Sequence, residues 1–158
     1  MIDTQVTCTT GPGTGRNLRF LVTVNGFSSN VGVDTYTYPG PTITANTLQT
    51  PATNRTTQFT SDSNTGETIM FKGTNFGDQT YIRVNLGPPS SPDKYQCTVQ
   101  YSATPTTDIK CVTAPGEGTG NRFKVYVGPG TSAQTFVGSD VYNYAIPPVV
   151  YSVSGCVK

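Results

Sequence analysis

The chain has 158 residues, ten Lys+Arg against nine Asp+Glu, no histidine, and only 12% charged residues. This balance offers no basic field to hold nucleic acid or anionic lipid, so solubility must come from Thr, Ser, Asn, Gln and Gly. The length suits one generous domain or one and a half small ones, and a composition rich in Val, Thr, Tyr and Phe favours strands with almost no helix.

The first ten residues, "MIDTQVTCTT", carry neither a basic segment nor an apolar stretch, so a targeting signal is expected outside this chain. No run approaches ~20 apolar residues, and no membrane insertion is expected from this segment. At Cys8 begins "CTTGPGTG", and "CVTAPGEGTG" follows at Cys111. A phosphate cradle would need a strand before the glycines, a helix after them and converging N–H groups. Here "RFKVYV" follows the second run as an alternating strand, so each run is expected to be a turn, with glycines supplying positive φ.

The two runs belong to a longer repeat. Setting Cys8 on Cys111 brings Pro12 onto Pro115, Gly13 onto Gly116, Arg19 onto Arg122, Phe20 onto Phe123, Val22 onto Val125 and Val24 onto Val127. After a three-residue slip, "VGVDTYTYPGP" matches "VGSDVYNYAIP", pairing Asp34 with Asp140, Tyr36 with Tyr142 and Tyr38 with Tyr144. A domain-sized period follows. Residues 1–40 are expected to be the later half of a repeat, 41–146 a complete one, and 147–158 the first strand of another.

Within the complete repeat, period-2 alternation predicts strands at "GETIMFKG" (66–73), "QTYIRVNL" (79–86), "KYQCTVQY" (94–101), "TDIKCVT" (107–113), "RFKVYV" (122–127) and "SDVYNYA" (139–145). In the second of these, Tyr81 and Arg83 share one face while Ile82, Val84 and Leu86 share the other. Between the strands lie segments dense in Gly, Pro, Asn and Ser, and the regular spacing indicates an all-β sandwich.

The order of these motifs resembles the IPT/TIG domain, an immunoglobulin-like β-sandwich. The resemblance rests on a strand closed by "GTNFG", a cysteine strand running into "TAPGEGTG", then "FKVYV" and "VYNY". It covers the whole central repeat, and the first half-copy repeats the later part of it. It implies non-catalytic structural or recognition work, in tandem arrays that serve as cell-surface ectodomains, adhesion modules or extracellular filaments. The partners so implied are neighbouring repeats of the same protein, or identical subunits in a fibre, with glycans a further possibility.

Four cysteines with no CxxC and no histidine cannot supply four zinc ligands at finger-like spacing, so neither a metal nor another cofactor is expected. Disulfides are the better reading, and they imply an oxidising, extracellular compartment. Cys97 and Cys111 stand 14 residues apart on consecutive predicted strands, and the family resemblance places a disulfide there. Cys8, the counterpart of Cys111, and Cys156 are then unpaired within this chain, or else bridge one another within or between subunits. Asn54 in Asn54-Arg55-Thr56 is an N-glycosylation candidate on a loop-like stretch.

Without histidine, a Ser or Cys nucleophile would need a tuned Lys or carboxylate as its base, and no enzymatic activity is expected. Asp34 and Asp140 recur at equivalent positions, but one acid per site is too few for calcium, and each reads as a turn residue leading into a Tyr-x-Tyr strand. The tyrosine pairs share a face and read either as sandwich packing or as a sugar-stacking platform. The short "YAIPPVV" passage suggests a stiff link between repeats and so a rod or stalk. Two other readings stay open: a carbohydrate-binding accessory domain of a secreted enzyme or receptor ectodomain, and an intracellular transcription-factor module, which the balanced charge disfavours.

Overall fold

The structure, a computed structural model, describes residues 5–50, 66–144, 151–152 and 154–155. Asn54, Cys156 and most of the "YAIPPVV" link lie outside the described residues. No helix among the described residues is long and apolar enough to cross a membrane.

The first unit holds two short two-stranded sheets. Strands β1 (Leu18–Arg19) and β4 (Thr35–Tyr36) pair antiparallel, as do β2 (Thr23–Val24) and β3 (Phe27–Ser28). Asn25 and Gly26, at φ of 51° and 82°, form the tight turn between β2 and β3. Asn-Gly is the pair that best tolerates two successive left-handed residues, and the resulting turn matches the strand twist.

After β5 (Thr42–Ile43) comes the main sheet, formed with β6 (Thr68–Thr74), β7 (Ile82–Gly87), β8 (Tyr95–Gln100), β9 (Asp108–Thr113), β10 (Asn121–Val127) and β11 (Gln134–Tyr142). The strand order is β11-β10-β7-β8-β9-β6-β5, antiparallel throughout. The two end strands also meet: β5 packs on β11, where a methyl group added to Gly138 would stand 3.2 Å from Ile43 Cγ2. The glycine gives room for that approach, which wraps the sheet into a sandwich or barrel-like body.

Alternation builds the core. Ile69 and Phe71 of β6, Val84 and Leu86 of β7, Ile109 and Cys111 of β9, and Phe123, Val125 and Val127 of β10 all turn inward and are buried. Phe71 and Phe123 meet at 5.4 Å between ring centroids, and Phe123 meets Tyr142 at 5.7 Å. Roughly 2 kcal/mol of transfer free energy per buried side chain of this size makes this cluster the main stabilising element.

The predicted strands hold with shifted ends. β7 starts at Ile82 rather than Gln79, because Gln79 sits at φ 70° and spends its side chain bracing the turn. Its amide group donates to Asp108 O at 3.3 Å and accepts from Ser102 N at 3.1 Å. β11 starts five residues earlier than predicted, at Gln134, since pairing with the tail of β10 extends it through Val127↔Gln134. The polar-looking "GTNFG" segment holds a core residue: Phe76 is buried and meets Phe71 edge-on at 6.3 Å.

Candidate functional site

The sequence-matched halves share one local geometry. Leu18↔Tyr36 and Arg19↔Thr35 in the first copy correspond to Asn121↔Tyr142 and Arg122↔Val141 in the second. The glycine runs dock on the closing tyrosine in both: Tyr38 Oη donates to Gly11 O at 3.0 Å, and Tyr144 Oη donates to Ala114 O at 2.8 Å. A methyl group on Gly13 would fall 2.6 Å from the Tyr38 ring, and one on Gly116 would fall 2.6 Å from the Tyr144 ring. Both shared glycines let the ring lie close, and the buried Tyr144 ring makes this a requirement at Gly116. Positive φ is the requirement at Gly118 and Gly120 instead, at 92° and 73°.

The sugar-stacking reading of the Tyr-x-Tyr pairs fails for the second copy. Tyr142 and Tyr144 are buried, and their rings meet edge-on at 5.1 Å and 86°, so no open flat face remains. Tyr36 and Tyr38 repeat that arrangement at 5.0 Å and 89° but are only half-buried.

Asp140 is a strand residue of β11, not a turn residue, and its carboxylate is a clasp. Oδ1 accepts from Asn46 N at 2.7 Å, and Oδ2 accepts from Thr47 N and Leu48 N, each at 3.0 Å. Three amides converging on one carboxylate fix the loop after β5, which bends at Asn46 with φ 61°. The signal in the sequence was the recurrence of Asp34 and Asp140; the amide donors carry no side-chain signature. Among the described residues, no group of three or more His, Cys, Asp or Glu gathers as metal ligands would.

Cys97 and Cys111 are joined by a disulfide with Cα atoms 5.4 Å apart, linking neighbouring strands β8 and β9. Cys8 is a free, exposed thiol.

The first unit and the main body meet along a junction whose hydrogen bonds all end on backbone carbonyls. Arg16 N donates to Ser132 O at 2.9 Å, Gln134 Nε2 donates to Tyr38 O at 3.1 Å, and Asn75 Nδ2 donates to Gly40 O at 2.9 Å. A methyl group on Gly128 would stand 3.0 Å from Gly15 Cα, so the chains touch at two glycines. Beside the junction runs a mainly apolar cleft of about 880 Å³, walled by Pro12, Leu18, Tyr38, Tyr81, Pro105 and Pro129. Sequence reasoning missed Asn75 and Gln134, because single amide side chains leave no pattern.

On the solvent face of the main sheet, Asp93 collects Tyr126 Oη at 2.6 Å, Lys124 Nζ at 2.9 Å and Asn85 Nδ2 at 3.0 Å. Partial burial would raise its carboxyl, but these hydrogen bonds and the Lys124 charge outweigh it and hold Asp93 down at about 2. Arg83 lies over the Tyr126 ring at 4.0 Å. Burial, with Tyr142 and Tyr95 close by, pushes the Tyr144 hydroxyl well above the usual phenol range, leaving it a donor throughout ordinary pH.

No protein-family model and no curated protein matches the chain. Among solved structures, a candidate phosphatase from Bacteroides thetaiotaomicron aligns at 24% identity and a TM-score of 0.41, covering 51% of this chain. The chain spans 16% of that protein's length. Likeness at that level transfers neither fold nor chemistry.

Proposed function

We propose that the chain is a non-catalytic structural module of an extracellular tandem-repeat protein, built from immunoglobulin-like sandwiches of the IPT/TIG type and acting as part of a stiff rod, stalk or filament. The observation that carries this reading is the junction. Two sequence-related units are joined with only five residues between β4 and β5, and backbone and amide hydrogen bonds lock one to the other. A rod needs repetition and fixed angles, and both features serve it. The buried disulfide and the uncharged, Thr- and Ser-rich surface suit an oxidising exterior.

Residual dipolar couplings measured on the 158-residue chain test the reading. Couplings from residues 18–36 and from β6–β11 are expected to fit one common alignment tensor. Separate tensors of different magnitude for the two units would mean a swivel at the junction, and the rod reading would fall.

A further inference from the structure

The two later-half repeats share the pairing of Leu18–Arg19 with Thr35–Tyr36 and of Asn121–Arg122 with Val141–Tyr142, yet their burial is opposite. Phe123, Val125 and Val127 are at most 2% exposed, whereas their counterparts Phe20, Val22 and Val24 are 47%, 42% and 63% exposed. Ile109 is 1% exposed and its counterpart Val6 is 73% exposed. In the second copy the cover is visible: β7 pairs along β10 through Phe123↔Leu86, Val125↔Val84 and Val127↔Ile82, and Phe71 of β6 lies on Phe123. Two further features recur without their partners. Asp140 holds three backbone amides of residues 46–48, while Asp34 has no hydrogen-bond partner among the described residues; Cys111 is bonded to Cys97, while Cys8 is free.

From these observations we infer that the face formed by Val6, Phe20, Val22 and Val24, with Asp34 and Cys8 at its margins, is a docking surface for one kind of occupant. That occupant is the earlier half of another repeat, a polypeptide with the pattern of residues 41–103. Its β7-like strand adds to the open edge of residues 18–24, and its β6-like strand lays an aromatic ring on Phe20. A tight loop equivalent to residues 46–48 offers its amides to Asp34. A cysteine equivalent to Cys97 bonds to Cys8, the two thiols giving up two protons and two electrons to a disulfide oxidant.

A second copy of this chain does not fit the role. In a second copy the earlier half is already engaged, its β7 paired with β10 and its β6 with β9 of its own main body. The apolar area on a largely uncharged chain gives the surface its need for cover. This inference uses the repeat on which the rod reading also depends, but it is independent of junction stiffness, so either can fail alone.

The test joins a copy of residues 41–103 directly ahead of Met1 of the full chain, which restores the spacing between the halves, and refolds it with glutathione disulfide. Non-reducing peptide mapping should then find Cys8 bonded to the added copy of Cys97, and amide exchange at Phe20, Val22 and Val24 should slow by about a hundredfold or more. Protection at Val125, which the added copy lacks, reports that the main body is folded. With that protection present, a reactive Cys8 and unchanged exchange at residues 20–24 would overturn the inference. If the fusion does not fold, the unmodified chain decides: it should sediment as a monomer and bind anilinonaphthalene sulfonate, and Phe20→Ser with Val22→Ser should abolish that fluorescence. A dimer with a protected face would make the second copy the occupant, and absence of dye binding would show no apolar surface, and either result sinks the proposal.

Discussion

At the scale of single residues, Asp140 concentrates the most consequence in one side chain. Its carboxylate accepts from three backbone amides, and hydrogen bonds to a charged acceptor contribute more than neutral ones. Asp140→Ala strands those donors at a half-buried site and frees the loop that seats Leu48 in the core. We expect a loss of about 2–3 kcal/mol in urea unfolding of the main body. Asp34→Ala, at the matching but open position, should change the same midpoint by no more than about 0.5 kcal/mol.

Asp93 makes a pH-dependent contribution of known sign. Its folded value, about 2, lies below the unfolded value of 3.8, so the unfolded chain takes up the proton first as acid is added. The stabilisation is present in full above pH 3.8 and drains away as pH falls toward 2. The side chain is 42% exposed, and solvent screening holds the effect to about 1 kcal/mol or less. Asp93→Asn should flatten the stability profile between those two pH values, which thermal unfolding at several pH values would reveal.

At the scale of elements, the paired glycine runs form a built-in comparison. Gly116→Ala drives a methyl group into a tyrosine ring that is 2% exposed and packed against Tyr142 and Tyr95, so the ring has nowhere to go. Overpacking of that kind costs about 1–3 kcal/mol. Gly13→Ala makes the same overlap with Tyr38, but that ring is half-buried and can swing outward. Its cost should stay below about 0.5 kcal/mol. Equal losses in differential scanning calorimetry would mean that Tyr38 is held as firmly as Tyr144.

The same elements show what was legible beforehand. Strands β6 to β10 announced themselves because one face of each is buried, and burial forces period-2 alternation. The recurrence of Gly13 with Gly116 and of Tyr38 with Tyr144 was visible, although the reason for the glycines lay in ring contact rather than in φ. What stayed hidden depends on groups with no sequence pattern: the amides of residues 46–48, the Gln79 brace, and the early start of β11, which a neighbouring strand imposes. Phe76 was hidden for a different reason. It stands alone among turn residues, so no periodicity marked it as core.

At the scale of the whole molecule, the junction decides whether two units behave as one body. Its hydrogen bonds come from Arg16, Asn75 and Gln134, and only the last two act through side chains. Asn75 owes its position to the left-handed backbone at φ 58° in "GTNFG", so the segment that plugs the core with Phe76 also reaches across to Gly40. Orientation between units is thus tied to the folding of the main body and not to a separate linker. Asn75→Ala with Gln134→Ala removes both side-chain bonds, about 1 kcal/mol each, and leaves the buried core intact. The melting temperature of the main body should move by no more than a few degrees, while couplings from residues 18–36 should shrink relative to those from β6–β11. If both sets still fit one tensor in the double variant, the glycine contact and the Arg16 bond alone set the angle, and the two amides are incidental to stiffness.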